Sequence, residues 1–349
     1  MSSGKAAGSH AEAETAAELL LHDGGNSIDA IIGGFLAAAA VDSGTLFAPL
    51  TILVAGVGRG ARSIDGRPLQ PGAGARRPRG LAPGQATPEA AFAAAPRSLS
   101  ALAIAHTYGA NKSMLALARP ALLAAKKLGA EGRAKLLAGF AARGPRVLQQ
   151  TEVERALLHA AGQSAGGVLM QADLEGVTPG DERATSFELG NGTTAGLPSW
   201  EPDAGVLRPG DAHRREHVRS AETLVVADAH GTVAAIAWSP DPEGILIPEF
   251  DVRLPGDAVP VMRGVPRVAP QSPRPAALPL AILARPSDGW YAAIGVSARP
   301  ALRPDELRLP DGSLAGLLEE LANVQRGTLA LAVSVSRGKV QTHRIPGRR

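Results

Sequence analysis

The sequence predicts an α+β protein built in layers, with helices concentrated in the first half and strands in the second. Three observations carry this. Segments rich in helix formers fill residues 11–41 and 98–161, and a two-strand pattern with a turn opens at Thr223. Further apolar runs then follow at 279–284, 290–296 and 328–335. That order suits stacked layers better than an alternating βαβ array.

Residues 11–22 (AEAETAAELLLH) form a helix stopped by Asp23-Gly24-Gly25-Asn26. Ser27 is expected to cap a second helix, IDAIIGGFLAAAAV, which is apolar nearly all round and so belongs between layers. Leu50–Ala55 reads as a strand, Gly56–Gly60 as a turn, and a second strand ends near Ile64. Residues 72–97 are rich in Pro, Gly, Ala and Arg and are expected to be a surface linker. Helices are placed at about 98–108, 113–128, 131–142 and 150–161, and a polar connector at 199–219. Thr223–Ala227 and Thr232–Trp238, separated by Asp-Ala-His-Gly, form a β-hairpin, and one late helix falls near 313–323.

Composition narrows the function classes. Aromatics supply only 3% of the chain, so the core must be closely packed Ala, Val, Leu and Ile. The net charge of +3 comes from scattered arginines with no basic block, which argues against nucleic-acid binding. There are no cysteines, so disulfides, thiolate metal sites and cysteine nucleophiles are excluded. The N-terminus has no apolar signal region, and the most apolar stretch, 28–41, is too short to span a bilayer and contains Asp29. A cytoplasmic chain is expected.

Three short motifs are read as structural. Gly162-Gln-Ser164-Ala-Gly166 matches a nucleophile elbow, but a helix precedes it where a strand is required. His213-Arg-Arg-Glu216-His217 has the spacing of a zinc motif, yet its segment is polar on every side. Gly56-Val-Gly58-Arg-Gly60 lacks the following helix that a dinucleotide loop needs. No metal and no cofactor is expected.

Several other elements, in order, resemble the γ-glutamyltransferases, a family of N-terminal-nucleophile hydrolases. They are Gly24-Gly25-Asn26-Ser27-Ile28-Asp29-Ala30, then Asp65-Gly66-Arg67-Pro68-Leu69-Gln70-Pro71, then Tyr108-Gly109 with Pro120-Ala121. Gly167-Val168-Leu169 to Asp173-Leu174 follows, and Ala221–Ala234 resembles the start of the family's second subunit. The resemblance implies a four-layer αββα sandwich of two stacked, mainly antiparallel sheets flanked by helices. It implies one domain over 1–349, with 1–220 similar to the first, helix-rich subunit and 221–349 to the second, nucleophile-bearing one. It also implies that Arg67 clamps the carboxylate of a γ-glutamyl or amino-acid ligand, as a guanidinium fork is suited to do.

The departures concern catalysis. In this family the nucleophile is a Thr, Ser or Cys that becomes N-terminal by self-cleavage, and its own amine then serves as base. Counted back from Asp228-Ala229-His230-Gly231, its position falls on Ala221, whose methyl group cannot attack a carbonyl. The family's serine pair falls near Pro275-Ala276-Ala277, and its oxyanion loop becomes Gly295-Val-Ser-Ala-Arg299-Pro300. Its amine-binding element survives only as Pro248-Glu249-Phe250-Asp251, which leaves Asp251 as the candidate ligand contact. The reading is a catalytically degenerate homologue acting as scaffold, partner subunit or ligand binder, alone or as a homo-oligomer. The alternative is a self-cleaving γ-glutamyl hydrolase or transferase with Thr223 as nucleophile. Thr223 is two residues from Ala221 and shares its strand face. Thr193-Thr194 is read as structural.

Overall fold

The computed structural model describes residues 4–56, 58–75, 80–175, 179–200, 220–276, 279–299, 301–309, 312–324 and 326–347. The first strand, β1 (Lys5–Gly8), leads into two antiparallel helices, α1 (Ala11–His22) and α2 (Ser27–Val41). Every residue from Ser27 to Ala40 is buried, as an all-round apolar helix requires. Small residues allow the close approach. A Cβ on Gly33 would fall 2.1 Å from Leu20 Cδ1, and one on Gly34 would fall 2.7 Å from the Ala13 carbonyl oxygen.

The hairpin of β2 (Leu50–Gly56) and β3 (Arg59–Gly66) follows, then α3 (Ser98–Gly109), α4 (Met114–Lys127), α5 (Glu131–Arg143) and α6 (Thr151–Ala161). Strands β4 (Gly180–Arg183), β5 (Thr185–Gly190) and β6 (Thr193–Leu197) precede β7 (Glu222–Ala227) and β8 (Thr232–Trp238). A small hairpin, β9 (Ile245–Ile247) and β10 (Val252–Leu254), stands apart. The chain then forms β11 (Leu280–Arg285), β12 (Trp290–Val296), α7 (Leu314–Asn323), β13 (Leu329–Ser336) and β14 (Lys339–Pro346).

Two six-stranded antiparallel sheets result. The first runs β1-β7-β8-β2-β3-β4 and the second β14-β13-β12-β11-β6-β5. Period-2 alternation sorts their side chains into three apolar layers. Leu224, Val226, Ile236 and Ile52 pack outward beneath α1 to α6. Val225, Ala227, Ala235 and Leu53 meet Ile282, Ala293 and Val333 between the sheets. Ala281, Leu283 and Ile294 pack outward against Leu317 and Leu321 of α7. This is the expected αββα sandwich. Both sequence halves supply strands to both sheets.

Several expectations are corrected. The cap of α2 is Asn26, whose side chain accepts from the Ile28 and Asp29 amides, while Asp29 accepts from the Asn26 amide in a reciprocal box. Ser27 turns instead to Asp228. Residues 72–97 are no simple surface linker. Ala90, Ala91, Ala93–Ala95 and Arg97 are buried, and Ala95 bridges to Leu69. β3 runs two residues past Ile64, which brings Asp65 into the sheet. Strands β1, β4, β5 and β14 carried no clear alternating signal. The Gly162–Gly166 motif ends α6, and Gly56–Gly60 spans a hairpin turn, both as expected. His213, Glu216 and His217 lie outside the described residues, as does most of the 199–219 connector.

Candidate functional site

Long-range hydrogen bonds join the elements that carried the resemblance. Asn26 Nδ2 donates to the Gly109 carbonyl at 2.6 Å, and the Asn111 and Lys112 amides donate to Asp29. The buried Asp228 carboxylate accepts from the Ser27 amide and hydroxyl and from the His230 and Thr232 amides. It thereby locks the start of α2 to the β7–β8 turn. Asp173 accepts from the Gly72, Ala73 and Met170 amides, which ties down the chain just after Pro71. Burial pushes the Asp173 carboxyl above its ordinary range, opposed by those three amides and by Arg267.

Ala221, which the sequence comparison places at the nucleophile position, lies where β7 begins. Ala221 is buried, and its carbonyl accepts from the Ala298 amide at 3.2 Å. Ala298 has φ 61°, so the loop after β12 bends sharply against it. Thr223 is fully buried and shares the inter-sheet face with Val225 and Ala227. Its amide donates to Ser9 Oγ at 2.9 Å, its carbonyl accepts from the Ser9 amide, and Ser9 Oγ donates to Glu222. Thr223 Oγ1 has no hydrogen-bond partner among the described residues. The opposite sheet presses on it: a Cβ on Gly295 would lie 2.9 Å from Thr223 Cβ.

Arg67 is held by its own motif. Its Nε lies 3.0 Å from Asp65 Oδ1, a second guanidinium nitrogen lies 3.1 Å from Asp65 Oδ2, and its amide also donates to Asp65. The Trp200 ring covers the guanidinium at 5.0 Å. A second guanidinium, Arg97, reaches Asp65 Oδ2 at 3.4 Å and is only 6% exposed. Burial lowers the Arg97 pKa from its ordinary value; Asp65 opposes this and Arg67 adds to it. Arg97 Nε, Ser199 Oγ and Trp200 Nε1 are buried without a hydrogen-bond partner among the described residues.

The register of the first sheet connects these two groups. Thr223 pairs with Ala237, Ala237 with Thr51, and Thr51 with Asp65. Directly paired residues share a face, so this row looks between the sheets, where Ala237 packs. Three strand steps of ~4.8 Å separate its ends by roughly 14 Å. Thr51 Oγ1, within the row, is also buried without a partner among the described residues.

Asp251 does not join this site through any described contact. Its carboxylate pairs with Arg133 of α5, which also donates to the Asp251 and Ala40 carbonyls. That arrangement fastens the β9–β10 turn to the outer helices. Thr193 accepts from Arg285 Nε at 3.1 Å, in keeping with its structural reading. A groove of ≈ 410 Å³ lined by Trp290, Arg337 and Lys339 lies at the other end of β12, away from Gly295.

Reasoning from the sequence missed Arg97, Thr51, Ser199 and Trp200. The one available signal was a lone arginine in an alanine-rich run, Ala93-Ala94-Ala95-Pro96-Arg97, where a buried charge demands a partner.

The fold is a four-layer αββα sandwich of two stacked antiparallel sheets flanked by helices, and solved structures share it at low sequence identity. Among solved structures, the chain is similar to LmbA2991T421A, with 17% identity and a TM-score of 0.63, over 85% of this chain and 79% of that one. It is also similar to the cephalosporin acylase from Bacillus halodurans, with 14% identity and a TM-score of 0.63, over 84% and 77% of the two chains. No protein-family model matches the sequence, and no curated protein does. Among the described residues no helix is long and apolar enough to cross a membrane.

Proposed function

We propose that this chain is an uncleaved, catalytically degenerate member of the γ-glutamyltransferase-like class that binds a small ligand at the Asp65–Thr223 end of its sandwich. Ala221 carries the reading: it stands at the head of β7, buried, and its methyl has no nucleophilic or acid–base chemistry. Hydrogen bonds hold the segment in place, Ala221 to Ala298 and Thr223 to Ser9. A scaffold or partner-subunit role, in the cytoplasm, fits a chain that keeps the layers and has rewritten the catalytic loops.

Thr223 Oγ1 supports the second reading, a self-cleaving hydrolase or transferase. It is a buried hydroxyl without a described partner on the nucleophile face, and such a group is costly to bury idle. Self-cleavage there would require Oγ1 to attack the Glu222 carbonyl, which moves the acyl group from nitrogen to oxygen and frees the Thr223 amine, and water then to hydrolyse the ester. Residues 1–222 and 223–349 would then be separate subunits sharing both sheets.

Incubation with a chromogenic γ-glutamyl anilide separates the readings. The degenerate reading expects no release of the anilide above a buffer control. Release that disappears in Thr223→Ala would overturn it.

A further inference from the structure

The outer face of the second sheet changes character along its length. Beneath α7 it is apolar: Ala281, Ile294, Ala330 and Ala332 share a layer with Leu317 and Leu321. Toward the β11–β12 and β13–β14 turns the same face becomes polar. The register sets it out in two adjacent rows. Leu283, Ala292, Ser334 and Gln341 pair across four strands, and beside them stand Arg285, Trp290, Ser336 and Lys339. Residues two apart on a strand share a face, so both rows look outward with Leu283 and Ala292. Trp290 is half-buried against the edge of that apolar layer.

Trp290, Ser334, Ser336, Lys339 and Gln341, with Arg337 of the β13–β14 turn, line a single groove of ≈ 410 Å³. That volume lies within the ~300–1,000 Å³ usual for small-molecule sites. Each of the six side chains carries a hydrogen-bond donor, and none of them donates to a described residue. Ser334 is only 5% exposed, which puts its hydroxyl at the floor of the groove.

The charges around the groove divide into a committed pair and two free cations. Arg285 bonds Asp288 at 3.2 Å, donates to Thr193 Oγ1 at 3.1 Å and stands over the Trp290 ring at 5.4 Å. Hydrogen bonds from Ser287 and then Arg285 hold the Asp288 carboxyl below its ordinary range, so Asp288 offsets the Arg285 charge. Neither Arg337 nor Lys339 forms an ion pair among the described residues. Two positive charges therefore remain beside an indole whose setting Arg285 fixes.

We infer that this groove binds a small phosphomonoester, its ring-bearing body against Trp290 and its phosphate on Arg337 and Lys339. Such a phosphate carries about −1.5 to −2 charges at neutral pH and three strong acceptor oxygens. It matches two free cations and the hydroxyl donors between them, where a carboxylate would leave one cation unmet. Trp290 and Lys339 stand two strand steps apart, roughly 10 Å, so ring and phosphate have separate places. The groove is on the face of the sheet opposite the Gly295–Thr223 contact, so the inference does not depend on whether the chain cleaves itself.

The test titrates the intact protein with AMP, glucose 6-phosphate, inorganic phosphate and adenosine at constant ionic strength set with chloride. Calorimetry reads affinity, and the indole N–H resonances read contact, with Trp290 assigned from Trp290→Phe. The inference expects saturable binding of AMP or glucose 6-phosphate and a shift of the Trp290 resonance. Inorganic phosphate and adenosine should each bind at least about tenfold more weakly, for want of the ring or of the charge. Saturation by AMP alone supports a nucleotide, and saturation by glucose 6-phosphate alone supports a sugar phosphate. Lys339→Met and Arg337→Asn should each weaken binding by about tenfold, the loss of one charge-assisted hydrogen bond. Both residues are exposed, and asparagine tolerates the φ of 48° at position 337, so both variants should fold. No saturable binding of either phosphomonoester would overturn the inference. So would undiminished binding in the two variants, a Trp290 resonance that does not move, or inorganic phosphate binding as tightly as AMP.

Discussion

Thr223 and Asp65 stand at the two ends of one transverse row of the first sheet, joined through Ala237 and Thr51 and facing the second sheet. The row puts Thr223 and the carboxylate that pairs with Arg67 and Arg97 on one face of one sheet. It also carries two buried hydroxyls, Thr223 Oγ1 and Thr51 Oγ1, that have no hydrogen-bond partner among the described residues.

An idle buried hydroxyl costs stability, because its desolvation is not repaid by a hydrogen bond. Deleting it in Thr223→Val, with the shape kept, should raise the unfolding free energy by ~1 kcal/mol. Denaturant midpoints of the two proteins check this. A loss of stability in the valine variant would mean that Oγ1 has a partner or a task.

The contact of Gly295 with Thr223 makes an opposite prediction. A methyl on Gly295 would overlap Thr223 Cβ at 2.9 Å and Oγ1 at 3.1 Å, between two rigid sheets. Gly295→Ala should cost ~1–3 kcal/mol, the usual penalty of overpacking. Thr223→Ala removes only the Oγ1 part of the clash, so thermal unfolding of the double variant should show partial recovery.

Arg133 and Asp251 should behave as structural residues. Arg133→Met leaves the Ala40 and Asp251 carbonyls without their donor, with an expected loss of ~1–3 kcal/mol. Asp251→Ala removes a carboxylate that is 50% exposed, so screening by water should hold its effect to ~1 kcal/mol or less. Neither should change binding of a γ-glutamyl ligand by the protein. A selective loss of binding in Asp251→Ala would return Asp251 to the ligand site.

The layers were legible from the sequence because their signals are local. The apolar run of α2, the Ser113 start of α4 and the turn between β7 and β8 each depend on residues within a few positions. Strands β4 and β14 were hidden because their exposed edges alternate weakly: β4 reads GDER, and β14 reads KVQTHRIP. The Ala221 and Thr223 face was legible from strand parity. Arg97 was not, because its partner Asp65 is 32 residues away and meets it only when α3 docks on β3. The clamping role expected of Arg67 overlooked the carboxylate two residues before it in the same motif. Asp251 looked like a ligand contact because an exposed acid after Pro-Glu-Phe gives no sign of the arginine on α5 that meets it.

The central claim, an intact chain with Ala221 in place of a nucleophile, is tested most directly by the intact mass of the purified protein after long incubation at neutral pH. The account predicts a single species near 35.6 kDa. Two fragments, the second beginning at Thr223, would contradict it and make Thr223 the nucleophile.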